Sequence, residues 1–267
     1  MEQKLGIIAG SGRFPLYICR RIRSEGKTCI VAAVSGEAEE ILSEEADIFH
    51  EFSLDNLNAL TGFLKKHRIK QVILAGKIEP RRTFEKSPPR GLIFKMLQKG
   101  KDQRPASLVS LAISFLNRSG FEVMDPSPYL SDTFCPKGRL NGIRIKKRVS
   151  DDIEFGWPLA RKLADWDIGQ TLVVKKQAVA AVEGMEGTNA AIRRGGELAG
   201  PGTVVIKISR SSQDPRIDLP AVGMETVKIC LEAGCAALCI EAGTMPFFQK
   251  EEALERAQKH GLAVLAK

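Results

Sequence analysis

Short runs rich in β-branched and small apolar residues alternate along the first half of this chain with longer amphipathic stretches, the pattern of a parallel sheet covered by helices. Strands are predicted at Leu5–Ala9, Cys29–Ala33, Ile48–Phe52, Gln71–Ala75 and Glu122–Met124, and helices from about Pro15 to Ser24, Leu54 to Lys66, Leu92 to Gln98 and Ala106 to Ser119. This half reads as Rossmann-like. The second half starts again with a helix at Ser150–Ala164, where Ser150 reads as the cap of an acidic first turn made by Asp151, Asp152 and Glu154. Strands follow at Thr171–Val174, Ala178–Val182, Thr203–Ile208, Ala236–Ile240 and Leu262–Leu265, with helices near Asn189–Leu198, Met224–Ala233 and Lys250–Lys259. The chain is long enough, at 267 residues, for two such units. The Pro-rich and basic passage Asp125–Arg148 is the natural crossover between them. The expected division is an N-terminal domain over 1–130, a basic linker over 131–149 and a C-terminal α/β domain over 150–267.

Charge narrows the partners. The net charge is +8, but Lys77–Arg104 and Lys137–Arg148 each carry +6, so the remainder is net −4. Local basicity of this kind suits an anionic small molecule or an anionic membrane surface, or is a solvated basic face. Nucleic acid is disfavoured because aromatic residues are only 6% of the chain and none of the usual binding modules is visible. No stretch approaches the roughly 20 apolar residues of a membrane span, and the first strand starts too early for a signal peptide, so a cytoplasmic protein is expected. The six cysteines form no CxxC pair and have no histidine nearby, which favours buried free thiols over a zinc site.

The densest chemistry lies in Asp214–Gly223, DPRIDLPAVG. If this stretch is extended, Asp214, Arg216 and Asp218 fall at i, i+2 and i+4 and point to one side. Two carboxylates could then hold a hard cation while the guanidinium binds a phosphate oxygen. The alternative is a solvated turn closed by an Asp–Arg ion pair. Glu241, after the strand Ala236–Ile240, could add a third oxygen ligand. GSGRFP at 10–15 joins the first strand to the first helix, where Gly10, Ser11 and Gly12 could bring backbone N–H groups to a phosphate. It is not a dinucleotide fingerprint, because Phe14 and Pro15 replace the last glycine region and Ala32, Ala33 and Val34 stand where an acidic residue would contact the ribose. Gly76 and Lys77 lie at the carboxyl edge of the presumed sheet, where ligands collect. In EGMEGTNAAIRR, Thr188 reads as a helix cap with free N–H groups, and Glu186 as a metal ligand or an acceptor for a sugar hydroxyl. None of the three histidines is near these clusters, so a triad is improbable.

Taken in order, GSGRFP, AGK at 75–77, DIGQ at 167–170, EGTNAAIRR at 186–194, KISRSSQDPRIDLPAVG ending at 223, and EAG at 241–243 resemble the LpxI family of UDP-2,3-diacylglucosamine pyrophosphatases over nearly the whole chain. The resemblance implies hydrolysis of UDP-2,3-diacylglucosamine to 2,3-diacylglucosamine 1-phosphate (lipid X) and UMP in lipid A biosynthesis, with Mg2+ required. It implies a C-terminal domain characteristic of the family, a homodimer, and an aspartate needed for turnover at the position of Asp218. Substrate contacts would come from Gly10, Ser11, Gly12, Gly76, Lys77, Glu186, Gly187, Thr188, Asn189 and Lys207. The metal would be held by some of Asp214, Asp218 and Glu241, with Arg216 and Lys77 neutralising the phosphorus under attack. Two positions depart from the family pattern: Asn189 stands where EGTD is common, and Gly100-Lys101-Asp102 where GDD is common. Phe84, Leu92, Ile93, Phe94 and Leu97, interleaved with basic residues, suit a surface peripheral at the inner membrane or ordinary helix packing. A nucleotide-binding oxidoreductase or transferase, and a noncatalytic RNA- or membrane-docking module, are the competing classes.

Overall fold

The computed structural model describes residues 3–54, 56–77, 105–212, 214–217 and 219–267, of which 105–108 are described in backbone only. They form two compact units. The first runs to Tyr129 and takes in the turn 214–217; the second starts at Leu130 and resumes at Leu219.

In the first unit β1 (Lys4–Ala9), β2 (Thr28–Val34), β3 (Ile48–Phe52), β4 (Gln71–Ala75) and β5 (Glu122–Val123) make one sheet of order β3-β2-β1-β4-β5. Every pairing is parallel. This is the order of the first five strands of a doubly wound sheet. The helices are α1 (Phe14–Ser24), α2 (Ile41–Glu45), α3 (Leu57–Lys66) and α4 (Pro105–Arg118). Period-two side chains divide β2 between its faces: Ile30, Ala32 and Val34 join Leu57, Leu60 and Leu64 of α3 and Ile113 and Leu116 of α4 in one core. Ile217, from the distant turn 214–217, packs against that same core. The predicted helix at Leu92–Gln98 lies outside the described residues.

The second unit has a mixed sheet of order β6-β11-β10-β9-β7-β8, built from β6 (Gly138–Arg139), β7 (Thr171–Lys175), β8 (Ala178–Val182), β9 (Val204–Lys207), β10 (Ala237–Ile240) and β11 (Ala263–Ala266). β9, β10 and β11 are parallel, while β7 runs against both β8 and β9 and β6 runs against β11. Its helices are α5 (Lys147–Asp165), α6 (Thr188–Ala199), α7 (Met224–Glu232) and α8 (Lys250–Lys259). Leu172, Val174, Val204, Ile206, Ala237 and Cys239 face one core with Ile153, Ala160 and Ala164 of α5. The alternate residues Val173, Val205, Leu238 and Ile240 face the other, with Ile192 of α6, Val227 of α7 and Ala253 of α8. Contact is close where glycine allows it: a Cβ on Gly156 of α5 would come within 2.4 Å of Ile206.

Three expectations change here. Residues 131–149, read as a basic linker, belong to the body of the second unit: they carry β6, Asn141 bonds to both Leu262 and Val264, and Ile143, Ile145 and Val149 pack on the α5 core. Ser150 does not cap α5, which starts at Lys147 behind an extended Lys146. Asp152, expected in an acidic first turn, is 1% exposed, and its carboxylate accepts the N–H groups of Lys176 and Gln177, fixing the left-handed β7–β8 turn. All six cysteines are buried and free, and burial pushes the Cys239 thiol up to about 12. Among the described residues no helix is long and apolar enough to cross a membrane.

Candidate functional site

In the first unit the glycine loop and the end of β4 hold each other. The Gly10 N–H donates to Ala75 O at 2.8 Å, Ser11 N–H to Lys77 O at 2.7 Å, and Lys77 N–H to Ser11 O at 3.0 Å. The Ser11 hydroxyl adds a bond to Lys77 O. A Cβ on Gly10 would stand 2.4 Å from Lys77 O, and one on Gly76 2.7 Å from Ser11 O, so these two glycines permit loop-to-loop contact. This corrects the expectation that the Gly10 and Ser11 N–H groups await an anion: both are engaged. Gly12 differs, with φ +87 and open space where a Cβ would be, and Lys77 keeps an exposed side chain.

The segment that opens DPRIDLPAVG is not extended. Asp214 and Pro215 start a turn in which the Ile217 N–H donates to Asp214 O at 3.0 Å. Asp214 Oδ1 accepts the backbone N–H and Nε of Arg216, both at 3.0 Å, and Oδ2 accepts Nη2 at 2.7 Å. The guanidinium holds the Asp214 carboxyl below the usual range, and the carboxylate raises Arg216. The reading that sends Asp214 and Arg216 to one side of a strand is therefore corrected to its alternative, a turn closed by an ion pair. Asp218, the leading catalytic candidate, lies outside the described residues, as do Lys101, Phe84, Leu92, Ile93, Phe94 and Leu97.

In the second unit the ends of β8, β9 and β10 and the start of β7 bring polar residues to one edge of the sheet, the carboxyl edge of its three parallel strands. Lys207 ends β9 between β7 and β10 and is 7% exposed. Period two puts its side chain on the side of Val205, toward α6. There Nζ donates to Thr188 Oγ1 at 2.7 Å, and the Thr188 hydroxyl donates to Glu183 Oε1 at 2.9 Å. Thr171 Oγ1 lies 3.4 Å from the same hydroxyl. Thr188 is thus not the cap of α6. Gly187 is, with φ +81 and ψ 168, a conformation that favours glycine, and Thr188 is the first helical residue. Asn189 follows, half-buried, in the first turn.

Glu186 stands apart from this cluster. It pairs with Arg194 at 2.5 Å and accepts the Gly184 N–H at 3.0 Å, and these bonds hold its carboxyl below the usual range. The acidic residue that joins the Thr188 hydroxyl is instead Glu183, which the sequence did not single out. The available signal was its position directly after β8, at the sheet edge.

Glu241 is likewise engaged. Oε1 forms an ion pair with Arg161 Nη2, and Oε2 accepts the Ser209 N–H at 2.9 Å. Asp165 accepts the Ser211 N–H at 2.8 Å, and Arg210 pairs with Asp167 at 2.6 Å. The motifs DIGQ and KISRSS therefore anchor each other. No three His, Cys, Asp or Glu converge among the described residues. With Asp214 closed by Arg216, and Glu241 by Arg161 and Ser209, these carboxylates do not fit a resident cation.

What the arrangement offers is a buried ammonium, a hydroxyl and the start of a helix at one sheet edge, a setting that favours an anionic oxygen. Two family models match the chain: the LpxI N-terminal domain over residues 4–133 and the LpxI C-terminal domain over 136–265. A relative from Caulobacter vibrioides, "UDP-2,3-diacylglucosamine pyrophosphatase LpxI", is 28% identical over 280 aligned positions that span 98% of this chain and 97% of the relative. Among solved structures, a biotin carboxylase from Campylobacter jejuni is 12% identical with a TM-score of 0.29, covering 74% of this chain and 42% of its own. The biotin carboxylase domain of a thermophilic 2-oxoglutarate carboxylase is 12% identical with a TM-score of 0.27, covering 70% and 36%. The chain spans less than half of either.

Proposed function

The chain belongs to the LpxI family, whose two domain models follow one another along it, and on that premise we propose that it hydrolyses the diphosphate of UDP-2,3-diacylglucosamine in lipid A biosynthesis. The observation that carries this reading is the joint match: both domains in order, and a relative of the stated activity aligned over 98% of the chain. Water adds to one phosphorus of the diphosphate, the bond from that phosphorus to the bridging oxygen breaks, and UMP and 2,3-diacylglucosamine 1-phosphate leave, one of them carrying the water oxygen. Both products are anions, and so is the diphosphate between them. The buried Lys207 ammonium, with Thr188 and the first turn of α6 at Asn189, suits such a group. Lys77 and the open Gly12 supply a second candidate contact, in the first unit.

The turnover-critical carboxylate is assigned to Asp218 by its place in QDPRIDLP. Asp214 and Arg216 act as a pair that shapes the turn leading to it. Asp214 and Glu241 are closed by their own ion pairs, so a Mg2+ requirement is proposed from family membership alone. A homodimer rests on the same ground, and peripheral contact with the cytoplasmic face of the inner membrane on the apolar residues interleaved with basic ones between Phe84 and Leu97. Hydrolysis in 18O-labelled water tests the reaction and reads its site of attack: label in UMP marks the α-phosphorus, label in lipid X the β-phosphorus, and label in neither product would overturn hydrolysis. Asp218→Asn should lower kcat by about 10²- to 10⁴-fold, and a loss of only a few fold would remove Asp218 from the chemistry.

A further inference from the structure

A hydroxyl carries one proton and two lone pairs, whereas an ammonium can only donate. Because Lys207 Nζ donates to Thr188 Oγ1, the Thr188 proton must find its acceptor elsewhere, and Glu183 Oε1 at 2.9 Å takes it. The direction of the chain is therefore forced: Lys207 to Thr188 to Glu183. The second oxygen of Glu183 is buried and has no hydrogen-bond partner among the described residues. It is the one carboxylate oxygen in that condition there, whereas Asp152, Asp214 and Glu241 have both oxygens engaged. A buried acceptor left unpaired is costly, and packing of β8 and α6 alone does not require a carboxylate at this position.

We infer that Glu183 is a positioning residue for the hydrolysis: through the Thr188 hydroxyl it aims the Lys207 ammonium at the diphosphate. The inference deepens the functional reading above and rests on it. Glu183 itself does not touch the substrate, and its effect passes through Thr188. Its loss and the loss of the Thr188 hydroxyl should therefore break the same relay once, not twice.

A double-mutant cycle tests this. Wild type, Glu183→Gln, Thr188→Val and the double variant are compared for kcat/KM on UDP-2,3-diacylglucosamine, for calorimetric binding of inorganic diphosphate, and for melting temperature. Each single change should lower kcat/KM by about 10- to 150-fold, the worth of one charge-assisted hydrogen bond, and should weaken diphosphate binding in parallel. The double variant should fall no more than twofold below the worse single one. Losses that multiply, or a Glu183→Gln protein of unchanged kcat/KM and unchanged diphosphate binding, would overturn the inference. So would a change confined to melting temperature. If Glu183→Gln does not fold, Thr188→Ser decides in its place: it keeps the hydroxyl and should stay within threefold of wild type, and a loss equal to that of Thr188→Val contradicts the relay. Wild type that releases no UMP sinks the functional reading instead, and the cycle is then read on diphosphate binding alone, where additive losses again reject the role of Glu183.

Discussion

Gly169→Ala is the substitution with the most direct structural consequence. A Cβ built there stands 2.0 Å from Glu183 O, 2.7 Å from Glu183 C and 3.0 Å from Glu183 Cβ. The first contact is with backbone, which has no rotamer to change. Ordinary Cβ contacts begin near 3.4 Å, so the 168–170 loop and the end of β8 must part by more than 1 Å. Three hydrogen bonds resist that: Glu183 N–H to Thr171 O at 2.9 Å, Ile208 N–H to Gln170 O at 2.9 Å, and Ile168 N–H to Leu163 O at 3.0 Å. Overpacking of this kind costs about 1–3 kcal/mol, and the loss of one of these bonds adds about 1 kcal/mol. The expected total is roughly 2–4 kcal/mol, or about 6–16 °C in melting temperature for a unit of this size. Scanning calorimetry reads the shift directly. The same displacement carries Glu183 away from Thr188, so hydrolysis should fall with stability. A protein that melts within about 1 °C of wild type and keeps full kcat/KM would refute the steric argument and the coupling of this loop to the site.

Gly62 lies within α3 with nothing inside 4 Å of where a methyl group would stand, so Gly62→Ala should raise stability by about 0.5–1 kcal/mol in urea unfolding; a lowered midpoint contradicts this. Asp152→Ala removes both acceptors of a turn whose Lys176 and Gln177 have φ of 52 and 57, and should cost about 2–4 kcal/mol by the same measurement, with a loss below roughly 0.5 kcal/mol counting against the role. The lowered Asp214 carboxyl contributes stability that is present above its unfolded pKa of about 3.9 and is lost as pH falls through the lower folded value. Because the pair is 31% and 40% exposed, its contribution stays within about 1 kcal/mol. Wild type should exceed Arg216→Gln in stability at pH 7, and the gap should close toward pH 2; a gap that persists in acid would show that the ion pair is not its source.

The strands legible in the chain are short runs rich in β-branched and small apolar residues, and that composition stands out at the sheet edges as well as at the centre. Ile48–Phe52, Gln71–Ala75, Ala178–Val182 and the helix Lys250–Lys259 have the predicted bounds. What escapes a linear reading is set by distant partners. β6 is two residues of a basic passage whose strand character comes only from pairing with Leu265 and Ala266. α2 is a five-residue helix without a side-chain cap that buries only Leu42, too little to register as a period. Ser150 has the right chemistry for a cap, yet Lys147 pairs with Asp151 one turn on and Asp152 is drawn into the body, so the helix starts earlier.

The candidate site shows the same division. Asp214-Pro215 is a type I turn signature that local sequence could have revealed, since Asp favours the first position and Pro the second. The extended reading loses because a two-residue ion pair satisfies both charges locally. Thr188 resembles a helix cap by type and place, and only the fold reveals that Lys207, on a strand 19 positions away, claims its hydroxyl. Glu186 and Glu183 are equally acidic neighbours in the sequence, and the bond between Glu186 and Arg194, inside α6, is what separates their roles.

Incubating the purified protein with UDP-2,3-diacylglucosamine, in Mg2+ or in EDTA, and following UMP and 2,3-diacylglucosamine 1-phosphate by mass spectrometry decides whether the chain is this hydrolase. Equimolar release of the two products in Mg2+, abolished by EDTA, is the predicted result. No UMP above a protein-free control, in either condition, would contradict the assignment.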